Sequence, residues 1–234
     1  MDNYKKGQDA YDKKDYVQAA SYWKPLAELG YEEAINAMGN LYATDDNSPT
    51  YLPEDLSKAL YYFKKGALKG NNYSLFRLGM FYEKGLEVKQ DRQKARELFR
   101  KAWEKGEARS VYALATSNYY DEFNPDYKEA YFCFNALSEV NQSDAHFFLA
   151  DMCMYGKGVK KDYAEAYKHL ILAGITENEE ERKYWEDGLS NTEEYTRAIN
   201  RGVWLLHKEL TKLINPIELN RAKHLAKEFQ RKYY

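Results

Sequence analysis

Two glycines and three lysines stand close together in "YGKGVKKD", residues 155–162, and this combination could bind a phosphate group. In nucleotide-binding loops, glycines let backbone N–H groups surround the phosphate and a lysine neutralises its charge. Such a loop follows a β-strand and ends in Gly-Lys-Ser/Thr, whereas an apolar helical pattern precedes these glycines. The similar segment "EKGLEVKQD", residues 83–91, has Glu87 in place of the second glycine. Gly156 and Gly158 are therefore predicted to permit the geometry of a turn.

The histidines and cysteines are the next side chains that could bind a metal or act in catalysis. No two histidines have the three- to five-residue spacing of a helical zinc site. The cysteines occupy aromatic or apolar positions of helical patterns, where a buried thiol packs as a small apolar side chain. The sequence thus predicts no metal, no cofactor and no nucleophile among these residues, which are His146, His169, His207, His224, Cys133 and Cys153.

The chain repeats itself with a period of 35 to 40 residues. Five segments begin with aspartate and have alanine four residues later, among them "DLSKALYYFKKGALKG", residues 55–70, and "DRQKARELFRKAWEKG", residues 91–106. A second segment such as "SLFRLGMFYE" precedes four of them and places a large apolar residue before glycine or alanine. Two helical patterns in each period indicate a helical hairpin. The aligned alanines are Ala19, Ala59, Ala95, Ala130 and Ala166.

Aspartates and small residues at fixed positions indicate how these hairpins form and stack. Each aspartate stands where the N-cap of the second helix belongs and can accept hydrogen bonds from the first N–H groups of that helix. The small residues allow close contact between helices, so each hairpin can bury its apolar face against the next. The aspartates are Asp15, Asp55, Asp91, Asp126 and Asp162, and the small residues of the first helices are Gly39, Gly79, Ala115 and Ala150.

The composition limits the partners and the cellular location that we expect. The 234 residues carry a net charge of -2, so neither a nucleic acid nor an anionic membrane surface is an expected partner. The sequence shows no signal-peptide pattern and no apolar run of about 20 residues. Two isolated cysteines fit free thiols in a reducing compartment, and we expect a soluble cytoplasmic protein. Its 23 tyrosines require either a core or a binding surface.

The segment "LGMFYEKGLEVKQDRQKARELFRKAWEKG", residues 78–106, combines Leu-Gly-x-x-Tyr, a glycine turn, Asp, Lys-Ala, aromatic residues, Lys-Ala and a closing Gly. This pattern resembles the Sel1-like repeats, which are relatives of the tetratricopeptide repeat. The resemblance implies an all-α fold, a right-handed α-solenoid of stacked helix-turn-helix repeats. It predicts an N-terminal tetratricopeptide-like hairpin at residues 1–30, four Sel1-like repeats at 31–70, 71–106, 107–141 and 142–176, and C-terminal capping helices at 177–234.

The resemblance also implies that the first helix of each hairpin lines an inner, concave face where a partner would bind. In three repeats the inward positions are rich in tyrosine, phenylalanine, methionine and arginine, which protein interfaces favour. The predicted partner-binding residues are Tyr73, Phe76, Met80, Glu83, Arg109, Tyr112, Tyr119, Tyr120, Phe147, Asp151, Met154 and Tyr155. The alternative is that these aromatic side chains pack against one another.

Together these features predict a non-enzymatic scaffold or adaptor that binds a protein or peptide, as is typical of Sel1-like proteins. A narrower alternative, also implied by the resemblance, is a bacterial immunity protein that neutralises a toxin or effector by direct binding. A hydrolase that uses Asp151 with Tyr155 is the alternative from a different class. We expect a monomer that needs no cofactor.

Overall fold

Twelve α-helices form the regular structure of the part of the chain that is described. The computed structural model describes residues 2–43, 55–140, 143–174 and 194–233, and no β-strand occurs among these residues. The helices are α1 (Asp2–Asp12), α2 (Tyr16–Leu29), α3 (Glu32–Tyr42), α4 (Leu56–Leu68), α5 (Asn72–Lys84), α6 (Arg92–Glu104), α7 (Arg109–Tyr119), α8 (Tyr127–Ser138), α9 (Ser143–Tyr155), α10 (Tyr163–Leu172), α11 (Glu194–Leu210) and α12 (Pro216–Tyr233). The all-α prediction is thus confirmed.

The chain divides into two compact units, residues 1–117 and 118–234. In the first unit, each helix from α1 to α5 packs against the helix that follows it. In the second unit, α8 packs on α9 and α9 on α10, while α11 contacts α9 and α10, and α12 packs on α10. Because most of these contacts join helices adjacent in sequence, both units are built from stacked helical hairpins, as in solenoid proteins.

All five predicted aspartates cap the second helices of the hairpins. Each carboxylate accepts a hydrogen bond of 2.9–3.1 Å from the backbone N–H three residues later. These bonds satisfy N–H groups that a helix start leaves without an intrahelical partner, and each cap is worth about 1 kcal/mol.

The last helix begins with a side-chain cap. The side chain of Asn215 accepts hydrogen bonds from the N–H groups of Ile217 and Glu218, and the Glu218 carboxylate accepts the N–H of Asn215 at 3.1 Å. This reciprocal capping box, together with Pro216 in the first helical turn, fixes the start of α12. Residues 177–193, the first part of the predicted capping region, lie outside the described residues, as do residues 175 and 176.

Glycine lets the first helix of a hairpin approach an aromatic ring of the second. A Cβ atom on Gly39 would lie 2.5 Å from Cε1 of Phe63, and one on Gly79 would lie 2.5 Å from Cε1 of Phe99. Both rings are fully buried. Even alanine at either glycine would therefore force the two helices apart, and the predicted close contact at these positions is confirmed.

The turns between first and second helices use left-handed backbone geometry. The φ angles of Gly85, Gly156 and Gly158 are 72°, 74° and 71°. Glu87, at the repeat position of Gly158, keeps a positive φ of 52°, and its carboxylate accepts a hydrogen bond of 2.6 Å from Ser57 Oγ. The turn therefore persists where glycine is lost, as expected if these glycines serve chain geometry.

The two glycines of the 155–162 loop differ in the space around them, which yields a test of their role. A Cβ on Gly158 would lie 2.3 Å from the carbonyl oxygen of Tyr127, whereas the nearest atom to a Cβ on Gly156 is Val159 O at 3.5 Å. Both alanine variants bear the strain of a positive φ, but only one adds a backbone clash. We expect Gly158→Ala to lower the free energy of unfolding by about 1–3 kcal/mol more than Gly156→Ala. Denaturant titration followed by circular dichroism measures both, and equal losses would contradict the packing described.

Candidate protein-binding site

Histidine, cysteine and carboxylate side chains were the candidates for metal binding and thiol chemistry. Among residues 2–43, 55–140, 143–174 and 194–233, no group of three or more His, Cys, Asp or Glu side chains is placed to hold a metal ion. Cys133 and Cys153 are buried free thiols. Burial raises the pKa of Cys153 to about 12, so this thiol stays protonated at neutral pH. None of the described helices has the length and apolar content needed to cross a lipid bilayer.

Aromatic and cationic side chains of α5 and α7 form a surface on the first unit, which we call the Tyr–Arg face; its members are Tyr73, Phe76, Met80, Arg109 and Tyr112. The guanidinium carbon of Arg109 lies 4.9 Å from the centre of the Tyr73 ring and 5.2 Å from that of Phe76. Met80 follows Phe76 by four residues and Tyr112 follows Arg109 by three, so each lies on the same side of its helix as its neighbour. All five side chains are partly or largely exposed.

Hydrogen bonds fix the orientation of this face. The Glu107 carboxylate accepts two bonds from Arg109, one from Nε at 2.8 Å and one from Nη2 at 3.0 Å. These bonds and the arginine charge lower the pKa of Glu107, so the pair stays ionised. Tyr73 OH donates to Asn40 Oδ1 at 2.6 Å. The guanidinium is thus held over two rings, while the Arg109 side chain remains 60% exposed.

Glu83 was also predicted to face a partner, but its carboxylate is engaged within the first unit. Ser117 Oγ donates to Glu83 Oε2 at 2.7 Å, and Arg92 Nε lies 3.4 Å from Glu83 Oε1. Arg96 in turn donates to the carbonyl oxygen of Ser117 at 3.3 Å. Glu83 thus links α5 to α6 and α7 while its side chain stays 23% exposed, and its contact with a partner stays a prediction.

In the second unit, Tyr119 and Asp151 belong to an internal polar cluster. Tyr119 OH donates to Asp151 Oδ2 at 2.5 Å, and Lys157 Nζ lies 2.6 Å from the same oxygen and 3.0 Å from the tyrosine oxygen. Burial and the bond to Asp151 raise the pKa of Tyr119, which keeps its hydroxyl a donor. Tyr120 packs edge-on against Tyr119 and stays more than half exposed. The carboxylate considered for a hydrolase is thus held in an ion pair by the lysine of the glycine loop.

Helix α11 covers the face of α9 that the sequence assigns to a partner. The ring of Phe147 lies so close to Gly202 that a Cβ there would be 2.6 Å from Cε2. Tyr155 OH donates to Glu209 Oε2 at 2.7 Å, and Met154 is fully buried. The prediction is wrong for Met154, which lies in the core. Phe147 and Tyr155 contact a helix of the same chain, Phe147 stays partly exposed and Tyr155 43% exposed, and their contact with a partner stays a prediction. On this helix the alternative of self-packing is the better description.

His146 and His169 form a buried pair that their spacing in the sequence does not reveal. Their Nδ1 atoms are 2.9 Å apart, so one ring donates to the other, and the buried Nε2 atoms of both rings have no hydrogen-bond partner in the described structure. The repeat contains a signal for this pair. Ile35 and Tyr62 occupy the same two repeat positions in the first unit, and both belong to one buried core cluster there.

The buried histidine pair predicts acid sensitivity of the second unit. Burial, reinforced by the charge of Lys168, lowers the pKa of His146 to about 4 and that of His169 well below its usual value. In the unfolded chain both titrate near pH 6.5. Because the unfolded chain takes up protons that the folded chain cannot, we expect the free energy of unfolding to fall as pH drops from about 6.5 to about 4, by about 3 kcal/mol from His146 alone and further from His169. Denaturant titrations at a series of pH values measure this change.

The control for this prediction comes from another repeat. Leu75 and Leu98 stand at the two histidine positions in the hairpin at residues 71–106. The double variant His146→Leu, His169→Leu is expected to remain folded and to lose most of the pH dependence in this window, while His207 and His224 are unchanged. An unaltered slope in the double variant would show that other groups cause the acid sensitivity.

The contact between Phe147 and α11 gives a second test in the same unit. Phe147→Ala removes the ring that packs on Gly202 and is expected to lower the free energy of unfolding by about 2 kcal/mol, less than for a fully buried phenylalanine because the ring is partly exposed. Phe123→Ala is the matched control, since that side chain is 92% exposed, and it should cost less than about 0.5 kcal/mol. Equal effects of the two variants would refute the packing of α11 on Phe147.

Comparison with known proteins agrees with this architecture. The Sel1 repeat family model matches residues 3–31, 32–71, 72–107 and 143–174, together more than half of the chain. These segments do not include residues 108–142, which contain the glycine-free loop at 120–125. A comparison with curated proteins finds no match.

Two of the solved structures that match this chain illustrate the shared fold. One is c5321, a protective antigen present in uropathogenic Escherichia coli strains, with a TM-score of 0.62 and 22% identity over 99% of this chain and 53% of the antigen, so this chain spans about half of that protein. The other is a Sel1 repeat protein from Oxalobacter formigenes, with a TM-score of 0.61 and 22% identity over 89% of this chain and 84% of that protein. With the repeated hairpins, their aspartate caps and the family match in view, we conclude that this chain belongs to the Sel1 repeat family.

Proposed function

We propose that this Sel1 repeat protein is a non-enzymatic scaffold whose protein partner binds on the Tyr–Arg face. Sel1 repeats are generally protein-interaction modules, which gives the broad class. The observation that carries the specific proposal is the exposed Arg109 guanidinium, held by Glu107 above the rings of Tyr73 and Phe76. Arginine and tyrosine are among the residues that contribute most to the affinity of protein interfaces.

The geometry of this face favours binding because the side chains are ordered before a partner arrives. Glu107 and the two rings restrict the rotamers of Arg109, so less conformational entropy is lost on association. A guanidinium has five N–H donors and Glu107 accepts two, which leaves donors that can reach a carboxylate or a carbonyl of the partner. The exposed parts of Tyr112 and Met80 add apolar area beside this polar anchor.

The contrast with α9 supports placing the partner on the first unit. The corresponding side chains of α9 are buried or contact α11, and Asp151 is held by Lys157. A partner of that helix would have to displace a packed helix or break an ion pair. On the Tyr–Arg face, the partner would only replace water over already exposed side chains, which costs less free energy.

A substitution at Arg109 tests this proposal. Arg109→Lys keeps the charge beside Glu107 but removes the planar, bidentate guanidinium that lies over both rings. The partner is first identified by photo-crosslinking from a photoreactive phenylalanine at position 112, then purified. We expect the variant to weaken the Kd for this partner by roughly 30-fold, equivalent to about 2 kcal/mol, in isothermal titration calorimetry.

The controls separate binding from folding. The thermal midpoint of Arg109→Lys should stay close to that of the unaltered protein, because the ion pair with Glu107 persists. Lys24→Arg, an exchange of the same two residue types on the exposed side of α2, should leave the Kd unchanged. Wild-type affinity in Arg109→Lys would exclude the Tyr–Arg face as the binding site.

A further inference from the structure

A cleft lies between α4 and α6, outside the Tyr–Arg face. Its volume is about 440 Å³. The floor is apolar and includes Leu75 and Leu78 of α5, which are nearly buried, and the half-buried Leu98 of α6. Leu68 at the C-terminal end of α4 lines one edge and is 90% exposed. The cleft thus combines an apolar floor with an apolar side chain that water surrounds.

The preceding pair of second helices, α2 and α4, shows how such a cleft can be closed. There Lys65 of α4 reaches across to Glu28 of α2, with Nζ 2.8 Å from Oε2, and also donates to the Glu28 carbonyl oxygen at 3.2 Å. Tyr61 OH contributes a longer bond of 3.4 Å to the same carboxylate. Tyr62, which is almost fully buried, packs in the same core cluster as Ala27 of α2. An ion pair and a large ring therefore join the two helices.

Two residue changes remove this closure between α4 and α6. Counted from the capping aspartates, Leu68 stands at the position of Glu28 and Lys101 at that of Lys65. A leucine cannot accept a hydrogen bond from a lysine, so the carboxylate that closes the first cleft is missing from the second. Leu98 replaces Tyr62 and is the smaller side chain. The cleft is open because its own sequence lacks the acidic partner for the lysine.

The charges around the cleft indicate what would complete it. Lys64, Lys101 and Lys105 lie at its rim together with a single acidic residue, Glu104, although the whole chain carries a net charge of -2. We propose that this cleft binds an acidic segment of a partner protein, which supplies a carboxylate to Lys101 as Glu28 does to Lys65, and places an apolar side chain on the floor beside Leu68.

A protein segment fits this rim better than a small carboxylate does. The lysines come from different places along the cleft: Lys64 lies in α4, Lys101 in the last turn of α6, and Lys105 directly after the end of α6. One carboxylate can satisfy only one or two of these ammonium groups, whereas acidic residues spaced along a peptide can approach all of them. An apolar anchor in a cleft surrounded by complementary charge is also how short peptides commonly obtain specificity.

The test uses a fluorescein-labelled synthetic peptide in which pairs of glutamate alternate with pairs of leucine. Fluorescence anisotropy with the full chain should show saturable binding that weakens as salt is added. Leu68→Glu should weaken the Kd at least tenfold, because the new carboxylate can pair with Lys101 as Glu28 pairs with Lys65. Leu29→Glu is the matched control, since Leu29 is another largely exposed leucine of the first unit that does not line the cleft, and its Kd should change less than twofold.

Further arms separate this site from other possibilities. Arg109→Lys should bind the peptide as the unaltered protein does, so this proposal and the one on the Tyr–Arg face can fail independently. A peptide with lysine in place of glutamate should not bind. The proposal is overturned if the acidic peptide shows no saturable binding, if Leu29→Glu and Leu68→Glu weaken it equally, or if dodecanoate binds while the peptide does not, which would indicate a site for lipid carboxylates.

Discussion

The approach of an aromatic ring to the backbone of a facing helix is the contact on which the hairpins depend. Phe63 lies against Gly39 and Phe99 against Gly79, with no space for even one additional carbon atom. This contact fixes the separation of the two helices, and the neighbouring core side chains must fit the space that this separation leaves. Residues outside the contact are less constrained, so their chemistry can differ from one hairpin to the next while the hairpin itself is preserved.

Differences between copies of the repeat are therefore informative about function. Equivalent positions have similar backbone geometry. A side chain of a different chemical type in one copy therefore relates to the contacts of that copy. Glu87 shows that the turn tolerates the loss of a glycine. His146 and His169 stand where the hairpin at 71–106 has two leucines, and they introduce groups that titrate between pH 4 and 6.5 into the core. In the same way, the junction between α2 and α4 is closed by Glu28, whereas the junction between α4 and α6 has Leu68 at the same repeat position and is an open cleft.

The hairpins, caps and turns could be predicted from the sequence because each depends on nearby residues. An aspartate cap acts on N–H groups within three residues, and a positive φ is a property of one residue. The residues of the candidate site on the first unit could likewise be identified from the sequence, since the repeat period places Tyr73, Phe76 and Arg109 on first helices. Periodicity carries this information across the chain as long as the period persists.

The sequence interpretation failed where contacts come from non-periodic parts of the chain. Helix α11 follows the point at which the period fades, so nothing in the repeat indicated that it would pack on Phe147. The ion pair of Lys157 with Asp151 depends on how a loop returns to its preceding helix, which residue types alone do not determine. The histidine pair was different, because alignment of the hairpins with Ile35 and Tyr62 would have brought the two rings together.

Glu28 and Leu68 occupy the same surface position of successive repeats, and this difference also bears on how such a chain could evolve. Repeat proteins lengthen by duplication of whole hairpins, and a duplicated hairpin inherits the residue at this position. A copy with glutamate at this position can form an ion pair that closes the new junction, and a copy with leucine leaves a cleft there. A single substitution outside the core could then add or remove a ligand site while the ancestral packing stays intact.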